Sequence, residues 1–248
     1  MLDLAIAWAL SSQAPASGGV ALVYSPAIEL HRALVDRFQR RDPSVVLIAV
    51  DDPWPKANRP RAAVALGRAA MERARQEWPD VPHALLLQWD VVPEPTPHPE
   101  LWAGLRADPT CTARILAQTF GESGWLVLAG DTDGDAEALA RELGAVLVAG
   151  DVATQHRAVL SGAFRKIWLR AEPRHAEAPE WLAWLARIGR AEPWFVGTDL
   201  PALAQLGFAA PVAIDLDRMA ADTLAWLHAT RRRPQRGRTT LEVQCRRP

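Results

Sequence analysis

Nine short apolar runs, rich in Val, Ile and Leu, constrain what this chain can fold into more than any other feature. They are Val20–Tyr24, Val45–Val50, Ala62–Leu66, Ala84–Gln88, Trp125–Ala129, Ala145–Ala149, Lys166–Arg170, Trp194–Gly197 and Val212–Asp215. Each spans roughly four to seven residues with little polar interruption, as strands buried on both faces do. Such strands belong to parallel sheets covered by helices.

The intervening stretches supply the helices. Ile28 to Arg40 puts Leu30, Leu34, Val35 and Phe38 on one side, with Arg32, Asp36 and Arg37 elsewhere. Arg68 to Trp78, Ala136 to Leu143, Ala178 to Ile188 and Met219 to His228 are amphipathic in the same way. Alternation this dense means an α/β fold. A closed eight-stranded barrel and a pair of open doubly wound sheets both fit the alternation. The strand count favours two open sheets, one per lobe. So does the segment from Pro93 to Pro109, where Pro93, Pro95, Pro97 and Pro99 interrupt regular structure like a crossover. The expected divisions are residues 1–17, a leader or N-terminal helix; 18–108 and 109–230, two α/β lobes; and 231–248, a basic tail in which Thr239 to Gln244 alternates like a last short strand.

Net charge is -1, so no overall basic field draws in nucleic acid. The arginines from Arg231 to Arg247 read as a solvated terminus. Cys111 and Cys245 lie far apart with no metal-type spacing, and two cysteines neither require nor exclude an oxidising compartment. The histidines are scattered, with no zinc pattern among them. No apolar run is long enough to span a bilayer. Leu4 to Leu10, followed by Ala14-Pro15-Ala16-Ser17, fits either a weak export signal or an ordinary leading helix.

Parallel sheets bind ligands outside the carboxyl ends of their strands, beside helix N-termini. The residues there are Ser25; Asp51 and Asp52; Gly67 and Arg68; Gln88, Trp89 and Asp90; Asp131, Thr132 and Asp133; Asp151; Glu172; and Thr198 and Asp199. Ser, Thr and Asp are also favoured N-caps, so the set carries more meaning than any member. Ser25, Gly67, Arg68, Gln88, Trp89, Asp131, Thr132, Glu172, Thr198 and Asp199 are the expected ligand contacts. Gly67 lets a ligand approach the backbone closely. Trp89 offers a face for a ring or an ammonium group, unless it packs on a helix starting near Pro99.

Asp131, Asp133, Asp135 and Glu142 fall at calcium-loop positions, but Ala136 stands where the turn needs Gly. Acidic residues at a helix start need no metal. There is no GxSxG elbow, no P-loop and no GxGxxG. No cofactor, metal or catalytic role is expected.

Several segments resemble a known family. Ala62 to Val92 (AAVALGRAAMERARQEWPDVPHALLLQWDVV), Thr112 to Asp131, Lys166 to Pro173 (KIWLRAEP), Pro193 to Leu206 (PWFVGTDLPALAQL) and Ala213 to His228 (AIDLDRMAADTLAWLH) are similar, in order of strands and turns, to substrate-binding proteins of ABC transporters. That family has a fold like the type I periplasmic binding proteins. The resemblance covers Val20 to His228. It implies a periplasmic or lipid-anchored receptor that holds a small organic solute between its lobes for an ABC permease, or a degenerate relative of one. By position it places cleft residues on Ser25, Gly67, Gln88, Asp131, Glu172 and Thr198. Against the family pattern, only Asp51 to Arg61 joins two strands, which leaves no room for the usual helix, and no lipobox cysteine is visible.

Other readings compete. Ala62 to Val92 also looks like part of a nucleotide-sugar glycosyltransferase, although Gln88-Trp89-Asp90 has one acid where metal binding wants two. A LacI-like effector lobe, or a ligand-sensing or protein-interaction module without transport, fits the same alternation.

Overall fold

A computed structural model describes residues 19–53, 59–87, 98–130, 134–170, 175, 177–199, 201–232, 237–241 and 243–247. The chain forms two compact units. One runs to Leu105 and takes in Leu216–Glu242; the other comprises Arg106–Asp215 and Val243–Pro248.

The first unit holds β1 (Val20–Tyr24), α1 (Glu29–Arg41), β2 (Val46–Ala49), β3 (Ala62–Leu66), α2 (Arg68–Glu77), β4 (His83–Leu87) and β5 (Glu100–Gly104). The second holds α3 (Pro109–Phe120), β6 (Trp125–Ala129), α4 (Gly134–Leu143), β7 (Val146–Ala149), α5 (Val152–Leu160), β8 (Lys166–Leu169), α6 (Pro179–Gly189), β9 (Phe195–Thr198), a 3-10 turn Pro201–Leu206 and β10 (Ala213–Ile214). Then α7 (Leu216–Arg232) and β11 (Arg238–Thr240) return to the first unit, and β12 (Cys245–Arg246) to the second.

The first sheet runs β11-β5-β4-β3-β1-β2 and the second β7-β6-β8-β9, all parallel. Both are open, which excludes the barrel. Both also follow doubly wound order: the second strand flanks the first on one side and the third flanks it on the other.

Burial on both faces explains the unbroken apolar strands. In the second sheet Trp125, Val127 and Trp168 pack with α3 and α4, on Cys111, Leu116, Leu139 and Leu143. The alternate residues Leu126, Leu128, Ile167 and Leu169 pack with α5 and α6, on Val159, Trp181, Leu182 and Leu185. In the first sheet Ala21, Val23, Ala63, Ala65 and Leu85 meet Ala70, Met71 and Ala74 of α2. Leu22 and Val64, of opposite parity, are buried as well.

Two expectations need correction, and one helix has no counterpart among the expected elements. The helix near Pro99 is absent: Glu100–Gly104 is a strand, paired to β4 and β11. Its Glu100 is 1% exposed because Arg75 Nε and Nη2 donate to Oε1 at 3.0 and 2.5 Å. The single tail strand is instead two, β11 and β12, in different sheets. Between them Val243 O accepts from Asp108 N, and Gln244 O from Asp215 N. Finally, α5 was not foreseen; Asp151 caps it by accepting from Thr154 N at 2.7 Å.

Candidate functional site

In a doubly wound sheet the crevice for a ligand opens outside the carboxyl ends of the strands where the winding reverses. In the first unit these are β1 and β3, so the site begins at Ser25 and Gly67. The sequence therefore places Ser25, Gly67 and Arg68 correctly at strand ends.

Gly67 has φ +83, a left-handed conformation that favours glycine. Its N–H donates to Leu86 O at 2.9 Å and its carbonyl accepts from Met71 N at 3.0 Å, which fixes the start of α2. As the N-cap residue it has no side chain to cap that helix. Arg68 points outward and its Nε donates to Glu72 Oε1 at 2.8 Å. The close approach that Gly67 permits is made by a side chain the sequence reading passed over. A Cβ at Gly67 would lie 3.0 Å from His31 Cε1 and 3.4 Å from His31 Nε2.

His31 sits in the first turn of α1 and is 1% exposed. Ser25 N donates to its Nδ1 at 3.2 Å. Burial lowers its pKa to about 4, so the ring is neutral at pH 7. The signal for it was present: His31, Leu34, Val35 and Phe38 form one buried stripe at helical spacing. Beside it, Tyr24 closes β1. Burial raises its pKa, and the Asp52 carboxylate adds to that, so it stays a neutral phenol.

In the second unit the winding reverses at β6 and β8, whose carboxyl ends lead to Gly130 and Arg170. Arg170 is 4% exposed and its Nη2 lies 3.3 Å from Asp135 Oδ2 in the first turn of α4. Fully buried Gln155 of α5 ties the strand ends together. Its Nε2 donates to Ala129 O at 2.8 Å and to Gly150 O at 3.1 Å. Its Oε1 lies 3.2 Å from His175 Nε2. The His175 ring stacks on Trp181 with centroids 5.6 Å apart. Thr198 is buried at the end of β9, with its N–H donating to Ala209 O at 3.0 Å, and Asp199 beside it is half-buried.

Gln88, Trp89, Asp131, Thr132 and Glu172 lie outside the described residues. Among the described residues no group of three His, Cys, Asp or Glu could hold a metal ion. A recess lined by Val20, Arg61, Ala62, Pro82, Leu227 and His228 lies at the opposite, amino edge of the first sheet.

No protein-family model matches the chain. No curated protein matches it either. Solved structures do. The ligand-free, open structure of a substrate binding protein with adhesive properties from Clostridium difficile aligns over 88% of this chain and 86% of its own, at TM-score 0.59 and 8% identity. The chain has the fold of the type I periplasmic binding proteins. A periplasmic ribose ABC transporter protein from Conexibacter woesei shares that type I fold at TM-score 0.52 and 15% identity, over 95% of this chain and 94% of its own. A putative LacI-family repressor from Corynebacterium glutamicum shares it at TM-score 0.51 and 11% identity, over 92% and 96%. At such identities the type I fold is what is shared. Among the described residues no helix is long and apolar enough to cross a membrane.

Proposed function

We propose that the chain binds a small organic solute at the carboxyl ends of its parallel strands. It serves as the substrate-binding component of an ABC transporter, or as a relative that has lost its permease. The observation that carries this reading is the placement of polar groups where the winding reverses in each sheet: buried His31 between half-buried Ser25 and Gly67 in the first, and buried Gln155, Arg170 and His175 in the second. Gln88, Trp89, Asp131, Thr132, Glu172, Thr198 and Asp199 follow other strand ends or the same ones and complete the proposed contacts. The role is binding, without catalysis.

A periplasmic location goes with this reading. The disulfide between Cys111 and Cys245 supports it, since such bonds persist in oxidising compartments. Ligand sensing without transport is a second reading, favoured by the likeness to the LacI-family repressor.

A thermal-shift screen of the full chain against amino acids, sugars and nucleosides tests the proposal. A solute that binds only the folded state raises the melting temperature by mass action. One chemical class should do so, with the shift lost in Trp89→Ala. A shift that needs a divalent metal together with a sugar nucleotide would point to a glycosyltransferase instead.

A further inference from the structure

The imidazole of His31 has one committed nitrogen and one uncommitted. Because Ser25 N–H donates to Nδ1, that nitrogen carries no proton, and the ring proton sits on Nε2. His31 Nε2 is buried and, among the described residues, has no hydrogen-bond partner. It lies against Gly67, the residue that opens α2. The first backbone N–H groups of a helix have no partner within the helix, and the N-cap residue here, Gly67, has no side chain to cap them. One spot, at the reversal of winding between β1 and β3, thus gathers N–H donors from a side chain and from a helix N-terminus, and the donor that His31 adds is orphaned.

Donors of this kind call for a group that only accepts. An ionised carboxylate has two oxygens and no proton to place, and the positive end of α2 favours its charge. A hydroxyl or an amide would bring a further donor into a place already rich in them. His31 is neutral at pH 7 and the Arg68 side chain is engaged by Glu72. The site therefore offers partial charges rather than a full one, which suits a monoanion better than a phosphate dianion.

We propose that His31 Nε2–H and the first amides of α2 form a subsite for the carboxylate of the bound solute. This rests on the reading that the chain binds a solute at its strand ends. His31 is a specificity-determining contact in it.

The test is a nuclear magnetic resonance titration of the 15N-labelled full chain with sodium acetate, acetamide and inorganic phosphate in turn. Saturable movement of the His31 Nε2 resonance and of the Arg68 and Ala69 amides with acetate, absent with acetamide, is the expected result. In His31→Met the acetate affinity should fall roughly tenfold or more, and His31→Gln, which keeps a donor, should recover part of it. The wild-type spectra decide the matter even if a variant fails to fold. Movement of the same resonances with phosphate but not acetate would overturn the carboxylate assignment. So would a neutral solute that binds tightly while acetate moves nothing, and that result would leave solute binding itself intact. Silence from acetate, together with no stabilising solute in the thermal screen, would remove both.

Discussion

Cys111 on α3 and Cys245 on β12, 134 positions apart in sequence, are joined by a disulfide within the second unit. The bond holds the last strand against β10 and the start of α3. Closing so long a loop restricts the unfolded chain strongly. Reduction, or the double replacement Cys111→Ala with Cys245→Ala, should lower unfolding free energy by about 2–5 kcal/mol in denaturant titrations. Equal midpoints with and without reductant would contradict this.

Glu100 anchors the far edge of the first sheet. Arg75 reaches it at 2.5 Å and Arg238 of β11 at 3.9 Å, while the carboxylate is 1% exposed. Glu100→Ala should cost about 2–4 kcal/mol, since it strands a partly buried guanidinium. Arg75→Ala should cost more than Arg238→Ala, because the nearer partner makes the stronger contact. Chemical denaturation of the three variants gives the order directly.

The pH dependence follows from His31 and His83. Burial lowers both pKa values, His31 to about 4. The unfolded chain then binds more protons than the folded one below the ordinary histidine value of about 6.5. Stability is full above that pH and is lost as pH falls toward about 4. Melting temperature should decline across this window, and His31→Gln should flatten part of the decline.

Gly197 in β9 has no room for a methyl group. A Cβ there would stand 2.8 Å from Trp168 Cζ3 and 2.9 Å from Phe195 Cε1. Gly197→Ala should destabilise by about 1–3 kcal/mol through overpacking, and thermal melts would show it.

Gln155 spans two strand ends and His175. Gln155→Leu leaves the Ala129 and Gly150 carbonyls without its donor, and unmade buried hydrogen bonds cost about 1–3 kcal/mol. Stability should drop by that order. Solute affinity should drop too, because the strand ends lose their tie.

How much of this was legible follows from what each residue meets. β1, β3 and β6 match the sequence reading to the residue, because strands buried on both faces stay apolar throughout. β5 was hidden: it opens on Glu100, and a charge marks a strand as exposed unless its partner, 25 positions away, is known. β11 begins in an arginine-rich stretch and reads as tail for the same reason. The side to which α7 docks is likewise invisible in its periodicity; it packs on α1, where Arg37 Nε lies 3.5 Å from Asp217 Oδ2. Around the candidate site, Ser25, Gly67 and Arg68 could be placed after strands from the apolar runs alone. Those runs could not reveal His31, which comes from a helix face, nor Gln155, whose role exists only when β6 and β7 are adjacent.

The central claim is that this chain holds a small solute. Isothermal titration calorimetry of the full chain, with the solute that most raises its melting temperature, tests it most directly. Saturable one-to-one binding, weakened by His31→Met, is the expected result. No saturable heat from any amino acid, sugar or nucleoside would contradict it.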